Sequence, residues 1–131
     1  MEMNYIIDTS AYSAFFKGDS RLKSYFKPGS NIYIPLVVIG ELRAGFAAGT
    51  KADYNEKYLQ QFLDKPQVRI LNLSDKTTVI YGLIYARLKN AGKPIGSNDM
   101  WVAALALEHD CLLVTLDSDF KRVPDLLIAK I

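Results

Sequence analysis

The segment "CLLVTLDSDF", residues 111–120, joins an apolar run directly to two aspartates. The run is short and shows no alternation of polar and apolar side chains, which is typical of a parallel strand covered on both faces. Asp117 and Asp119 follow at its end. In open α/β sheets the working residues lie beyond the carboxyl ends of the strands. The segment therefore predicts a buried strand that delivers carboxylates to the functional edge of a sheet.

Working outward, the rest of the chain alternates strand-like and helix-like patterns. Further strands are predicted at "YIID" (5–8), "NIYIP" (31–35), "QVRIL" (67–71) and, as a last edge strand, "LLIAKI" (126–131). Helices are predicted over residues 9–17, 35–49, 53–65, 74–92 and 97–109. Among their ends, Ser74 is the expected N-cap and Gly92 the expected C-terminal stop of one helix, and Pro35 suits the first position of another. This order predicts an α/β fold with a central, mostly parallel sheet of four to five strands between two helical layers.

Composition narrows the class of protein. With 131 residues, 50% of them hydrophobic and 23% charged, residues 1–131 are expected to form a single globular domain. No segment approaches the roughly 18 consecutive apolar residues of a membrane span, and the chain opens almost directly into a predicted strand. We expect a cytoplasmic protein with no membrane segment. The single cysteine, Cys111, is expected to be a buried thiol.

Acidic residues stand at the ends of several predicted elements. Asp8 and Asp117 each follow a strand, so they are expected at the same edge of the sheet. Asp99 falls in the first turn of a helix, with Ser97 or Asn98 as the expected cap. Glu41 follows an apolar helical stripe, where an unpaired carboxylate requires a partner.

Each acid also has a purely structural interpretation. Asp8 or Asp117 alone can cap the helix that follows it, and Asp99 alone can interact with a helix dipole. Glu41 can be a surface residue if the phase of its helix differs, and Asp119 can be a cap or a solvated side chain. These explanations do not account for the joint pattern, in which four acids lie on four elements and two of them are constrained to one end of the sheet.

Converging carboxylates repel one another unless a cation neutralises them. Oxygen ligands without a nearby histidine or cysteine favour a hard ion, Mg²⁺ or Mn²⁺, over zinc. The chain has one histidine, His109, which excludes a two-histidine ribonuclease mechanism. It also lacks a P-loop, a G-x-S-x-G motif and a glycine-rich dinucleotide turn.

The charge balance indicates a polyanionic substrate. The net charge is +2, but without the four site acids ten Asp or Glu residues face sixteen Lys or Arg residues, an excess of about six positive charges. A basic body around an acidic notch suits a phosphate polymer. The candidate backbone contacts are Lys17, Arg21, Lys23, Lys27, Arg87, Lys89, Lys93, Lys121 and Arg122.

Four motifs together resemble the PIN domain, and in particular the small toxins of the VapC type. They are "IIDTSAY" (6–12), "GEL" (40–42), "IGSNDMWVAALALEHD" (95–110) and "LVTLDSDFKRVPDL" (113–126). The resemblance covers essentially the whole chain. It makes Asp8, Glu41, Asp99 and Asp117 the acidic quartet of the site, with Asp119, Ser10 and Thr115 as auxiliary residues. Leu116 departs from the family, whose members frequently have asparagine there.

The resemblance implies a PIN-like three-layer α/β/α fold and an Mg²⁺-dependent endoribonuclease, with Mn²⁺ as a possible substitute. It further implies the toxin of a type II toxin–antitoxin pair, which forms a homodimer and is blocked by a small antitoxin protein. In this interpretation a metal-activated water attacks an RNA phosphodiester. Asp8 and Asp99 are the expected direct metal ligands, whereas Glu41 and Asp117 position water or complete a second ion site.

Other functions remain open. The "DSD" spacing also occurs in haloacid-dehalogenase-like phosphatases, but those carry the pair on the first strand and need further motifs downstream of it. A receiver domain needs a mid-chain acceptor aspartate and a late lysine that this sequence lacks. The two remaining alternatives are a non-catalytic PIN-like module that binds RNA or protein, and a PIN nuclease that acts in RNA processing.

Overall fold

A computed structural model describes residues 3–131, and its centre is a four-stranded sheet. In chain order the strands are β1 (Met3–Ile7), β2 (Ser30–Pro35), β3 (Val68–Leu71) and β4 (Leu112–Val114). All of them are parallel, in the order β3-β2-β1-β4, with helices on both sides of the sheet. The predicted α/β architecture is confirmed.

The last edge strand, predicted over residues 126–131, is wrong. The segment makes only one isolated parallel bridge, between Leu113 and Ile128. It is held by the Leu113 N–H, which donates to the Leu127 carbonyl at 2.9 Å, and by the Ala129 N–H, which donates to the Leu113 carbonyl at 2.8 Å. β4 is only three residues long, so it offers too little edge for a fifth strand to pair along.

Six helices and one 3₁₀ helix fill the connections within residues 3–131. They are α1 (Thr9–Phe16), α2 (Ser20–Lys23), α3 (Leu36–Ala48), α4 (Ala52–Leu63), α5 (Asp75–Asn90), α6 (Ser97–Glu108) and the 3₁₀ helix (Ser118–Arg122). The sequence did not predict α2. It is a single short turn, capped by the Asp19 side chain through the Arg21 N–H at 3.0 Å.

The ends of α5 confirm their prediction. Ser74 caps the helix in a reciprocal capping box with Thr77. After the helix, Gly92 adopts φ +68°, a left-handed conformation that favours glycine, and the next N–H, from Lys93, donates to the Leu88 carbonyl at 2.9 Å.

Two other helix starts differ from prediction by one or two residues. The cap of α6 is Gly96, not Ser97 or Asn98, because Gly96 is the last extended residue and the two polar residues already belong to the first turn. Pro35 ends β2 and caps α3 through its backbone, so the first helical residue is Leu36.

The core lies between the sheet and its two helical layers. Ile6, Ile7 and Ile34 are fully buried in the strands, as is Leu105 in α6. Cys111 is also buried, and burial, with the charge of Asp110, raises the pKa of its thiol to about 11. Among the described residues, no helix combines the length and the apolar character that a membrane crossing requires.

The strand order places a functional edge between β1 and β4. The chain runs from β1 to β2 to β3 on one side and then crosses to pair β4 with the other side of β1. Such a switch point is where ligand sites form in open parallel sheets, at the carboxyl ends of the strands. Asp8 and Thr115 directly follow the last residues of these two strands.

Candidate active site

Asp8 is the most enclosed acid at this edge, with a relative exposure of 4%. Its carboxylate accepts hydrogen bonds from the Ala11 N–H at 2.9 Å, the Ser10 hydroxyl at 2.8 Å and the Thr115 hydroxyl at 2.5 Å. Burial raises its pKa, the nearby charge of Asp117 adds to the effect, and the three donors oppose it without cancelling it. Asp8 is therefore both the N-cap of α1 and a site acid, so the two interpretations of it are compatible.

Hydroxyl groups connect the ends of the two central strands. Ser10 Oγ lies 3.3 Å from Thr115 Oγ1 and accepts the Leu116 N–H at 3.0 Å. Thr115 Oγ1 in turn accepts the Asp117 N–H at 3.0 Å. Ser10 and Thr115 thus lie where the sequence placed auxiliary residues, and they fix the orientation of Asp8 relative to the turn that carries Asp117.

Glu41 projects from the second turn of α3 and is half-buried. Its partner is the Thr9 hydroxyl, which donates to Oε1 at 3.1 Å. Arg43, two residues further along the helix, pairs instead with Glu56 of α4 at 3.0 Å. The sequence prediction missed Thr9, although a polar residue directly after the strand-end aspartate was a usable signal.

Asp99, the third residue of α6, is the acid on which the others converge. Within residues 3–131 its carboxylate receives no hydrogen bond, in contrast to those of Asp8, Glu41 and Asp117. Its pKa is raised to about 6, first by burial and then by the negative charges of Asp117, Asp8, Glu41 and Asp119. The structure therefore brings together all four predicted site acids, and Asp119 lies close enough to contribute.

Asp117 and Asp119 have separate roles in the turn after β4. Asp117 caps the 3₁₀ helix by accepting the Asp119 N–H at 2.9 Å. Of the two interpretations left open for Asp119, a cap or a solvated side chain, the cap does not hold, because the helix begins one residue before it. Its carboxylate instead lies 3.4 Å from the Arg122 guanidinium.

The donor set fits a hard divalent cation. None of the four quartet acids forms an ion pair with Lys or Arg in the described chain, so their mutual repulsion is uncompensated. Over the same residues, no group of three or more acidic, histidine or cysteine side chains is arranged so that all of its members could hold one metal ion. Mg²⁺ needs no such cage, since it takes one or two carboxylates and keeps several waters. Asp99, which accepts no hydrogen bond from the described residues, is the most available ligand.

The predicted cations divide into paired and unpaired ones. Arg21 pairs with Asp19 at 2.7 Å, Arg87 with Asp125 at 3.5 Å, and Arg122 with Asp119. Lys17 and Lys121 form no ion pair within residues 3–131. No carboxylate of the described chain therefore competes with a ligand for these two lysines.

Known proteins similar to this chain share its length and its fold. The profile of the family described as "PIN domain" matches residues 5–126. Ribonuclease VapC2 of Rickettsia felis is 30% identical over 131 residues, 96% of each chain, and Ribonuclease VapC1 of Haemophilus influenzae is 28% identical over 95% of each. A chain in the crystal structure of VapBC2 from Rickettsia felis bound to a promoter DNA fragment superposes with a TM-score of 0.88 at 29% identity, covering 97% of this chain and 98% of that one.

Proposed function

This chain belongs to the PIN domain family and is of the VapC type, and from that premise we propose that it is a Mg²⁺-dependent endoribonuclease acting as the toxin of a type II toxin–antitoxin pair. The observation that carries the proposal is the convergence of uncompensated carboxylates on Asp99, whose pKa is raised to about 6 by burial and then by these neighbouring charges. The full-length similarity to proteins named ribonucleases supports RNA as the substrate.

The four acids have different proposed roles in phosphodiester hydrolysis. We assign Asp8 and Asp99 as the direct metal ligands, with Mn²⁺ as a possible substitute for Mg²⁺. When bound, the ion supplies a water of lowered pKa and neutralises charge on the phosphate. Glu41 and Asp117 are placed to accept hydrogen bonds and would orient an attacking water toward phosphorus.

The surrounding hydroxyl groups keep these acids in place. Ser10 and Thr115 donate to Asp8, which leaves its carboxylate a single orientation at the end of β1. Thr9 holds Glu41 across the gap between α1 and α3. These contacts require no reorganisation when substrate arrives, and such preorganisation is what stabilises a developing charge efficiently.

The proposal extends to protein partners. Solved structures similar to this chain include VapBC2 from Rickettsia felis and FitAB, which supports a cognate antitoxin as partner. A homodimer is a further prediction from the family resemblance. Sedimentation of the purified chain, alone and with a co-expressed antitoxin, tests both, and a monomeric species at all concentrations would contradict the homodimer.

The activity is tested with end-labelled RNA. We expect cleavage in Mg²⁺, none in EDTA, and none by Asp8→Asn, whose circular dichroism spectrum should match that of the wild type. Cleavage that persists in EDTA would defeat the metal mechanism. Binding without cleavage under any divalent ion would favour the non-catalytic module.

The toxin role needs a separate readout. Expression of the wild type without its antitoxin should arrest growth, whereas Asp8→Asn should not. Cleavage in vitro without growth arrest in vivo would favour a PIN nuclease in RNA processing over a toxin.

A further inference from the structure

Two cavities meet at Leu116, the residue at which this chain departs from the family pattern. One, of about 620 Å³, is lined by Leu116 together with Thr115, Asp117 and Lys121. The other, of about 440 Å³, is lined by Leu116 together with Ser10 and Lys17. We call the two cavities together the Leu116 groove.

Each half of the groove is continuous with the acid site. The larger half includes Asp117, and the smaller half includes Ser10, whose hydroxyl lies 2.8 Å and 2.9 Å from the two oxygens of Asp8. A linear ligand that follows the groove therefore passes Asp117 in one half and Ser10, the hydrogen-bond partner of Asp8, in the other.

Leu116 itself presents an apolar surface at a fixed position. Its side chain is 40% exposed, although it lies between polar residues. Its N–H donates to Ser10 Oγ at 3.0 Å, so its backbone is anchored to the same hydroxyl that holds Asp8. A leucine side chain cannot bind a phosphate group, but it can pack against the face of an unstacked nucleobase and stabilise it there.

The charges of the groove suit a polyanion. Lys17 lines the smaller half, Lys121 the larger half, and neither forms an ion pair in the described part of the chain. Arg21 also lines the larger half, where its guanidinium is held by Asp19. Free cations on both sides of an apolar contact match the alternation of phosphates and bases in a single strand.

We infer that a single RNA strand runs along the Leu116 groove, with phosphates on Lys17 and Lys121 and the nucleobase next to the scissile phosphate resting on Leu116. Leu116 is thus a residue that determines the base preference of the nuclease. The inference rests on the proposed function, since it takes the acid site as the point of cleavage.

The first test measures base preference. A randomised single-stranded RNA pool is cleaved by the wild type, Leu116→Asn and Leu116→Ala, and the 5′ ends of the products are sequenced. We expect both variants to change the base distribution beside the cut and to raise KM about tenfold. Ile70→Asn is the matched control, because Ile70 is 51% exposed on β3, the edge strand opposite to β4. An unchanged distribution and KM in both Leu116 variants would overturn the inference.

The second test needs no cleavage. Binding of fluorescent single-stranded RNA is measured by anisotropy in EDTA over a range of salt concentrations. Lys17→Gln and Lys121→Gln should each flatten the slope of log affinity against log salt by about 0.7, the value for one phosphate contact on a single strand. Lys76→Gln is the control, because Lys76 lies beside Glu108, at the end of α6 opposite to Asp99. Equal slopes in all three variants would overturn the path along the groove.

Failure of this inference is distinguishable from failure of the proposed function. If the wild type cleaves RNA and Asp8→Asn does not, the nuclease stands whatever the Leu116 variants do. If the wild type cleaves nothing, the nuclease fails, and the anisotropy slopes alone decide whether RNA follows the groove.

Discussion

Helix α6 carries a carboxylate near each end, and the two have opposite electrostatic surroundings. Glu108, the last residue, accepts hydrogen bonds from Ser74 Oγ at 2.9 Å and Thr77 Oγ1 at 2.5 Å. Burial alone would raise its pKa, but these donors hold the pKa below the usual value. Asp99, in the first turn, accepts no hydrogen bond within residues 3–131, and burial followed by several acidic neighbours raises its pKa to about 6.

The difference separates a carboxylate whose charge is compensated within the fold from one that, under the proposed function, binds a metal ion. The Glu108 side chain is only 8% exposed, yet its charge is compensated within the protein, where it ties α6 to the start of α5. The charge of Asp99 is not compensated within the described chain, and it therefore lowers the free energy of unfolding. Perturbed pKa values of this kind concentrate at functional sites.

The largest expected effect is on cleavage. Asp99→Asn should reduce kcat/KM for RNA on the order of a thousandfold, because it removes a proposed metal ligand from the transition state. Glu108→Gln is the matched control on the same helix and should retain the kcat/KM of the wild type per folded molecule. Similar losses of kcat/KM in the two variants would contradict the difference in role between Asp99 and Glu108.

The next largest expected effect is on stability, and here the change at Glu108, not the change at Asp99, is the destabilising one. Glu108→Ala should lower the free energy of unfolding by about 2 kcal/mol, because the hydroxyls of Ser74 and Thr77 lose their charged acceptor. Urea denaturation at pH 7.5 measures the change. If the free energy of unfolding did not change, the hydrogen bonds of Glu108 at the end of α6 would not stabilise the fold.

A smaller effect follows from the pKa of Asp99. A carboxyl group whose pKa is about 6 when folded and near its ordinary value of 3.8 when unfolded binds its proton more tightly in the folded state. Stability is therefore lost as pH rises from about 4 through 6, and the penalty is complete above that range. Asp99→Asn should be more stable than the wild type by about 1 kcal/mol at pH 7.5, a value reduced for solvent screening at a half-exposed group.

Urea midpoints of the wild type and Asp99→Asn in EDTA, compared at pH 7.5 and pH 4, check this sign. The difference between the two proteins should shrink toward zero at the lower pH. A constant difference at both pH values would show that the gain has another origin.

The smallest effect concerns Asp119. Because its carboxylate is partly neutralised by Arg122, Asp119→Asn should reduce cleavage only about threefold. Asp117→Asn, two residues earlier, is the comparison and should lose far more activity. If Asp119→Asn matched Asp117→Asn, both aspartates would belong to the catalytic set.

Sequence patterns predicted the parts of the site that depend on topology. Asp8 and Asp117 were placed from the rule that parallel strands end at one edge of the sheet, and both lie there. Asp99 was placed by its position in the first turn of a helix. These predictions succeed because strand direction and helix phase are set by short, strongly patterned segments.

Features that depend on one residue or on contact between distant elements were not predictable. The hydrogen bond from Thr9 to Glu41 joins α1 to α3, so it follows from the packing of two helices. The cap of α6 is Gly96, not Ser97 or Asn98, because the first residue to take helical geometry is set by the loop before it.

The most direct test of the site is whether Mg²⁺ offsets the loss in the free energy of unfolding that the charge of Asp99 causes. Urea unfolding of the wild type and Asp99→Asn is measured at pH 7.5 in EDTA and in Mg²⁺. In EDTA the variant should be the more stable protein. At a Mg²⁺ concentration about ten times the dissociation constant, the wild type should gain about 1.4 kcal/mol and the order should reverse. If Mg²⁺ stabilised neither protein, or both equally, the carboxylates would not form a site for the ion.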